Sequence, residues 1–318
     1  MKDVLVTGYP SLDYIVRVSL SPRVGETARL YEVPDNATYG GCGLNVGAAL
    51  ARLGFEVGAA VVFGGDREGK DYLRYLQEEL GIDVSNVSML SDERTSRSYL
   101  FLNPDGQYQN FFFSGAADAW QGPLVLQEPE AYRYALVTVG PLAYNRQFMA
   151  QVGRADVPIV WSMKPDIQAY PPDMLDEFVR SSAYLLMNHI EARYVAHALG
   201  YPTPEWLLAD ERSRLQAIVV TNGAKGAEVY QRNLRASIPA AKPRALVDTT
   251  GAGDGFAAGF LAALLRGYDV LVGVKIGVVV ASFVLEAFGC QTNLPDWAAV
   301  WERYRRHFGA LPEGVELA

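Results

Sequence analysis

Residues 248–259 read Asp-Thr-Thr-Gly-Ala-Gly-Asp-Gly-Phe-Ala-Ala-Gly, a glycine-rich turn that carries an aspartate to the start of an apolar helix running on to Leu265. The run before it, Ala245-Leu246-Val247, has an extended pattern. Gly251 and Gly253 let the backbone turn tightly and remove the Cβ atoms that would hold a ligand away from it. The unbonded N–H groups of the first helical turn then converge on one spot, where the helix dipole also favours negative charge. Asp254 is an awkward neighbour for an anion, because it repels one. It fits if it accepts a proton from a nucleophile that attacks the bound anion. The bland alternative is an acidic N-cap on an ordinary core helix.

Outward from this turn the chain alternates strand and helix. Val4 to Gly8 reads as a strand, Leu44 to Leu53 as a small-residue helix ending at Gly54, and Val57 to Phe63 as a second strand. A helix from about Lys70 stops before Gly81, and short strands follow at Tyr134–Val139, Ile159–Ser162, Tyr184–Met187 and Ala217–Thr221. Such repetition predicts βαβ units, a mainly parallel sheet and helices on both faces. Ligands of such sheets bind beyond the carboxyl ends of the strands. Asp13, Asn188, Thr221 and Asp248 all follow expected strands, so one cleft can gather them. Two segments break the pattern. Residues 14–39 and 96–113 alternate with period two around turns such as Asn103-Pro104-Asp105-Gly106, which predicts antiparallel ribbons forming a lid rather than a second domain. The expectation is one α/β domain over residues 1–318.

Composition narrows the function. The 318 residues are 50% hydrophobic and carry a net charge of −8, with no basic block, which argues against nucleic acid as a partner. Two cysteines make no disulfide framework, and the N-terminus enters a strand without a signal-peptide pattern, so the cytoplasm is the expected compartment. Val270 to Phe288 is the most apolar stretch, but Lys275 and Glu286 interrupt it and favour a buried helix over a membrane span. Histidines 189, 197 and 307 show no zinc-ligand spacing. Gly64 to Lys70 nearly matches a phosphate-binding P-loop, yet Asp71 replaces the required Ser or Thr.

The Asp-Thr-Thr-Gly-Ala-Gly-Asp segment closely resembles the C-terminal signature of the ribokinase-like, or PfkB, carbohydrate kinases. Gly40-Gly41-Cys42-Gly43-Leu44-Asn45 is similar to the family's N-terminal signature, and Gly65-Asp66-Arg67-Glu68-Gly69 to its next loop. Asn188-His189-Ile190-Glu191 resembles the family's Asn-x-x-Glu motif, and Thr221 to Gly226 its nucleotide loop. Five motifs in order span essentially the whole chain.

The resemblance implies a three-layer α/β/α sandwich with a β-sheet lid, and an ATP-dependent kinase acting on a primary hydroxyl of a small sugar. A nucleoside with an adenosine-like base is the alternative acceptor, and a catalytically idle sugar or nucleotide sensor is a third reading. By the same resemblance Asp254 is the general base, and the backbone of Gly251, Ala252 and Gly253 holds the transferring phosphoryl group. Asp13, Gly40, Gly41 and Asn45 bind the acceptor, while Asn188, Thr221, Gly223, Gly226 and Thr250 bind the nucleotide. Asn188 and Glu191 act on Mg²⁺ through water, and Asp248 is offered to a monovalent cation such as K⁺. An N-cap and first-turn acid explains Asn188 and Glu191 equally well. Asp13 is open to reading as a turn residue, and Asn45 as a buried polar group bonded to backbone. Ribokinase proper has a lysine where this chain has Cys42, which puts ribose itself in doubt. The lid aromatics Tyr99, Phe101, Tyr108 and Phe111 to Phe113 offer one face to the acceptor, a nucleobase included, and the other to a second subunit, as in family homodimers. Lys164 reads as a solvated loop lysine, with contact to acceptor or phosphate as the sharper alternative.

Overall fold

The computed structural model describes residues 1–105, 108–164, 166, 168–210 and 213–310, leaving aside the side chain of Tyr108. Gly106 of the expected lid turn, and the Tyr108 side chain, therefore lie outside the described residues. An eight-stranded sheet runs, edge to edge, through Leu234–Ile238, Ala227–Gln231, Ala217–Thr221, Tyr184–Asn188, Ile159–Ser162, Tyr132–Val137, Lys2–Thr7 and Val57–Ala60. From Val57–Ala60 to Ala217–Thr221 every pair is parallel, and the last two strands add an antiparallel hairpin.

Both faces of this sheet are covered, which is why its strands are near-continuous apolar runs. Alternate residues serve different cores. Val4, Val6, Leu136, Val160, Leu186 and Val219 face helices Cys42–Arg52, Ala252–Leu265, Val270–Val284 and Trp297–Phe308. Leu5, Ala135, Val137, Ile159, Trp161 and Ile218 face helices Leu142–Arg154, Leu175–Ser181 and His189–Ala198. This is the three-layer α/β/α arrangement. Val270 to Val284 is one buried helix, and no described helix is long and apolar enough to cross a membrane.

A second sheet caps the carboxyl end of the first. Its order is Leu30–Glu32, Ser11–Val18, Arg97–Leu102, Tyr108–Phe113, with Thr38–Gly40 also paired to Ser11–Val18. The expected ribbons are thus fused into one lid sheet, and its central pair is parallel rather than antiparallel. The chain reaches the second of those strands through helices Cys42–Arg52 and Arg67–Arg74, the long crossover that parallel pairing requires. Asp13 lies inside the lid strand Ser11–Val18, so the lid begins earlier than the expected residue 14.

Two further expectations change. The run Val57 to Phe63 divides into Val57–Ala60 in the main sheet and Val62–Gly64 paired with Ser88–Leu90, because a continuous apolar run does not mark where a strand changes partner. Ala245 to Val247 forms no strand; Leu246 and Val247 are exposed, and the N–H groups of Val247 and Asp248 both reach the Leu285 carbonyl.

Helices Ala252–Leu265 and Val270–Val284 meet backbone to backbone. A Cβ on Gly259 would stand 2.8 Å from Gly277 Cα and 2.8 Å from the Ile276 carbonyl oxygen. Gly259→Ala must therefore part the two helices, and we expect a loss of about 1–3 kcal/mol in denaturant unfolding, the usual range for overpacking. An unchanged unfolding midpoint would contradict this close approach.

Candidate active site

The lid sheet and the carboxyl ends of the parallel strands enclose a cavity of about 560 Å³. Among the residues expected to form a site, Asp13, Gly41, Asn45, Asn188, Glu191, Thr221, Thr250, Gly251, Gly253 and Asp254 line it. Gly40, Ala252, Gly223, Gly226 and Asp248 are not part of its described wall.

The turn that opens the chain's longest signature is built as its glycines require. Gly251 is the N-cap of helix Ala252–Leu265 and sits in the left-handed region, at φ 76°. A Cβ there would also press within 2.5 Å of Cys290 Sγ. Gly253 faces open space, so a ligand can approach its backbone. Gly253 and Asp254 are in the first turn, whose N–H groups have no helical carbonyl to bond. The N–H of Ala252 instead points back to the Thr249 carbonyl, at 3.4 Å.

Asp254 is no cap. The helix has no side-chain capping bond, and the carboxylate instead accepts from Asn45 Nδ2 at 2.8 Å. Behind Asn45 stands a relay that sequence alone did not reveal. Gln291 Nε2 donates to Asn45 Oδ1 and to the Tyr72 hydroxyl, each at 3.0 Å, and Tyr72 donates to the Gly40 carbonyl at 2.8 Å. Tyr72 is fully buried and stacks on Tyr39 of the lid at 4.2 Å. Gln291 sits in the loop between helices Val270–Val284 and Trp297–Phe308, and Tyr72 in helix Arg67–Arg74, where it is one of two buried residues.

Asp13 stands opposite, buried beside Ser11, whose hydroxyl donates to its Oδ1. Gly40 explains itself here: a Cβ would lie 2.1 Å from Asp13 Oδ2. Burial raises the Asp13 and Asp254 carboxyls above their usual range, against the hydrogen bonds of Ser11 and of Asn45 and the charge of Lys164. A raised carboxyl is a better proton acceptor, as a base in this position would need to be. Burial also pushes the Cys42 thiol up to about 12, helped by the neighbouring Asp254.

Asn188 and Glu191 form a reciprocal capping box on helix His189–Ala198. Asn188 Oδ1 accepts from the N–H groups of Ile190 and Glu191, while Glu191 accepts from Asn188 N at 2.6 Å and from its Nδ2 at 2.8 Å. The capping role is therefore real, and both residues still face the cavity. Burial raises the Glu191 carboxyl to about 7 despite the Asn188 N–H. Among the described residues no three His, Cys, Asp or Glu side chains converge to hold a metal directly. Both oxygens of Glu191 keep lone pairs after their single hydrogen bonds, which fits contact to a hydrated Mg²⁺ rather than direct ligation.

The Asp248 carboxylate joins two loops, accepting from Thr250 N at 2.9 Å and Gly289 N at 3.3 Å. Gly223 and Gly226 shape the turn after Thr221. A Cβ on Gly226 would stand 2.0 Å from the Ile238 carbonyl, so hairpin packing accounts for that glycine. Lys164, read from sequence as a solvated lysine, lines the cavity.

The pfkB family carbohydrate kinase model matches residues 1–297. The chain is 31% identical to a nucleoside kinase of Methanocaldococcus jannaschii, over 96% of this chain and 98% of that protein. It superposes on the crystal structure of the M. jannaschii nucleoside kinase with a TM-score of 0.85 at 29% identity, covering 96% of this chain and 99% of the other. A ribokinase of Haemophilus influenzae is 25% identical over 92% of this chain and 95% of its own length. With its signature turn, Asn45-held carboxylate and capping box assembled at one cavity, the chain belongs to the pfkB family of carbohydrate kinases, phosphotransferases that act on an alcohol group.

Proposed function

We propose that this chain transfers the γ-phosphoryl group of ATP to the primary hydroxyl of a ribosyl acceptor, and that the acceptor is a nucleoside. The observation that carries the reaction is the Asp254 carboxylate. It sits in the first turn of a helix, facing the cavity, held by a side chain from another helix rather than spent on its own cap. A protein that only bound sugar or nucleotide as a sensor would gain nothing from a proton acceptor at an anion site.

In this reading Asp13 and Gly41 receive the acceptor's ring hydroxyls, with Ser11 and Gly40 fixing Asp13 in place. Asp254 takes the proton of the primary hydroxyl, whose oxygen forms the new bond to the γ-phosphorus as the bond to ADP breaks. The N–H groups of Gly253 and Asp254 face the charge on the transferring group. Mg²⁺, when bound, would neutralise phosphate charge. Asn188 and Glu191 would hold its water shell, and Thr221 and Thr250 would contact the nucleotide. Asp248 keeps lone pairs for a weakly hydrated K⁺ beside the backbone of Thr250. Two free thiols, Cys42 and Cys290, suit a reducing cytoplasm.

The nucleoside is favoured over a free sugar by the apolar part of the cavity wall. Tyr9 and Phe112 meet edge to face at 4.9 Å in that wall, which Leu100, Val139 and Met163 also line. That wall suits a planar base and would be left bare by a pentose. The names of the related archaeal kinases point the same way. In a turnover panel with ATP and Mg²⁺, ribonucleosides should exceed free ribose in kcat/KM by at least ~10-fold, the worth of one buried aromatic contact. Equal or better turnover of free pentoses would move the acceptor to a sugar.

The lid's outer face supports a homodimer. Tyr99, Phe111 and Phe113 are exposed on the side opposite Asp13, Ser98, Asn110 and Phe112. An apolar patch of this kind is usually covered. Sedimentation should give twice the chain mass for the wild type and the chain mass for Phe111→Asp; a monomeric wild type would remove this reading.

A further inference from the structure

Among the described residues the cavity wall carries five charged side chains, and four are carboxylates: Asp13, Asp166, Glu191 and Asp254. The fifth is Lys164. A nucleoside triphosphate entering this cavity meets four carboxyl groups, set against the N-termini of helices Cys42–Arg52, His189–Ala198 and Ala252–Leu265, each worth only about half an elementary charge. Phosphoryl transfer depends on stabilising charge spread over the equatorial oxygens, and a side-chain cation can follow that charge as the group moves away from ADP and its bound metal.

Lys164 is placed to supply such a cation. It follows strand Ile159–Ser162 by two residues, where Met163 N still bonds the Leu186 carbonyl at 3.0 Å, so it leaves the sheet at the carboxyl edge beside the strand that ends in Asn188. Its charge acts at once on Asp13, Cys42, Glu191 and Asp254, lowering the pKa of each. Lys164 and these four side chains line the same cavity. Its four-carbon stem gives the ammonium reach along the cavity.

We propose that Lys164 is a catalytic residue whose ammonium hydrogen-bonds the γ-phosphoryl oxygens as the group passes from ADP to the acceptor. The acceptor's proton goes to Asp254, its oxygen bonds phosphorus, and ADP departs with the electron pair of the broken bond. Lys164 keeps its own proton throughout. The proposal rests on the kinase reading above.

The test compares wild type, Lys164→Met and Lys164→Arg by calorimetric binding of ADP and of β,γ-methylene-ATP with Mg²⁺, and by kcat on an acceptor the wild type uses. Lys164→Met should bind ADP as the wild type does, lose at least ~10-fold in affinity for β,γ-methylene-ATP, and lose at least ~100-fold in kcat, the scale of removing one transition-state donor. Lys164→Arg should recover part of both. Unchanged affinity for both nucleotides, or a loss confined to the acceptor KM, overturns the proposal. Should the wild type turn over no acceptor, the kinase reading fails by itself, while the difference between the two nucleotides still reports the Lys164 contact.

Discussion

The hydrogen bond from Asn45 Nδ2 to Asp254 Oδ2, 2.8 Å long, joins the first turns of two helices whose residues lie 209 positions apart. The site depends on it because a buried carboxylate without a donor is costly and swings toward one. Asp254 makes no capping bond to its own helix, which starts at Gly251 in its left-handed conformation. From Asn45 the support runs through Gln291 and Tyr72 to the Gly40 carbonyl, and the bare Cα of Gly40 lies against the Asp13 carboxylate. Asp254 and Asp13, two of the carboxylates facing the cavity, are thus positioned by one series of contacts. Tyr39, stacked on Tyr72, ties that series to the lid.

Burying two carboxylates at a site for a polyanion has an electrostatic logic. Burial raises both, Asp254 and Asp13, which disfavours accumulated negative charge and makes each a stronger proton acceptor. The first-turn N–H groups beside Asp254 offset its charge without supplying a proton. The lid completes the cavity with the same strands that present an apolar outer face, because strand residues alternate between the two sides of a sheet. Ser98 and Phe112 look inward, while Tyr99 and Phe113 look outward.

Much of this was legible in the sequence, for identifiable reasons. Strands Ile159–Ser162 and Ala217–Thr221 were readable to the residue because buried parallel strands are short apolar runs closed by polar residues. The signature turn was readable because only glycines tolerate its backbone. Partner choice was not: Val57 to Phe63 reads as one strand and serves two sheets, and the parallel pairing inside the lid is set by a distant crossover. Tyr72 escaped notice because its value lies in a hydroxyl bonded to the far ends of the chain. For Lys164 the sequence leaves both a solvated loop lysine and a contact to acceptor or phosphate open, because a loop lysine is solvated unless the fold turns it toward a cavity, as it does here.

The central claim is that the carboxylate held by Asn45 accepts the proton of the attacking hydroxyl. Its most direct test is the rate of ATP-dependent phosphorylation by Asp254→Asn, an isosteric change that keeps a hydrogen-bonding group at the site and removes the base. The account predicts at least ~100-fold loss in kcat, as for removal of a general base, with acceptor and nucleotide still bound. Turnover equal to that of the wild type would contradict it.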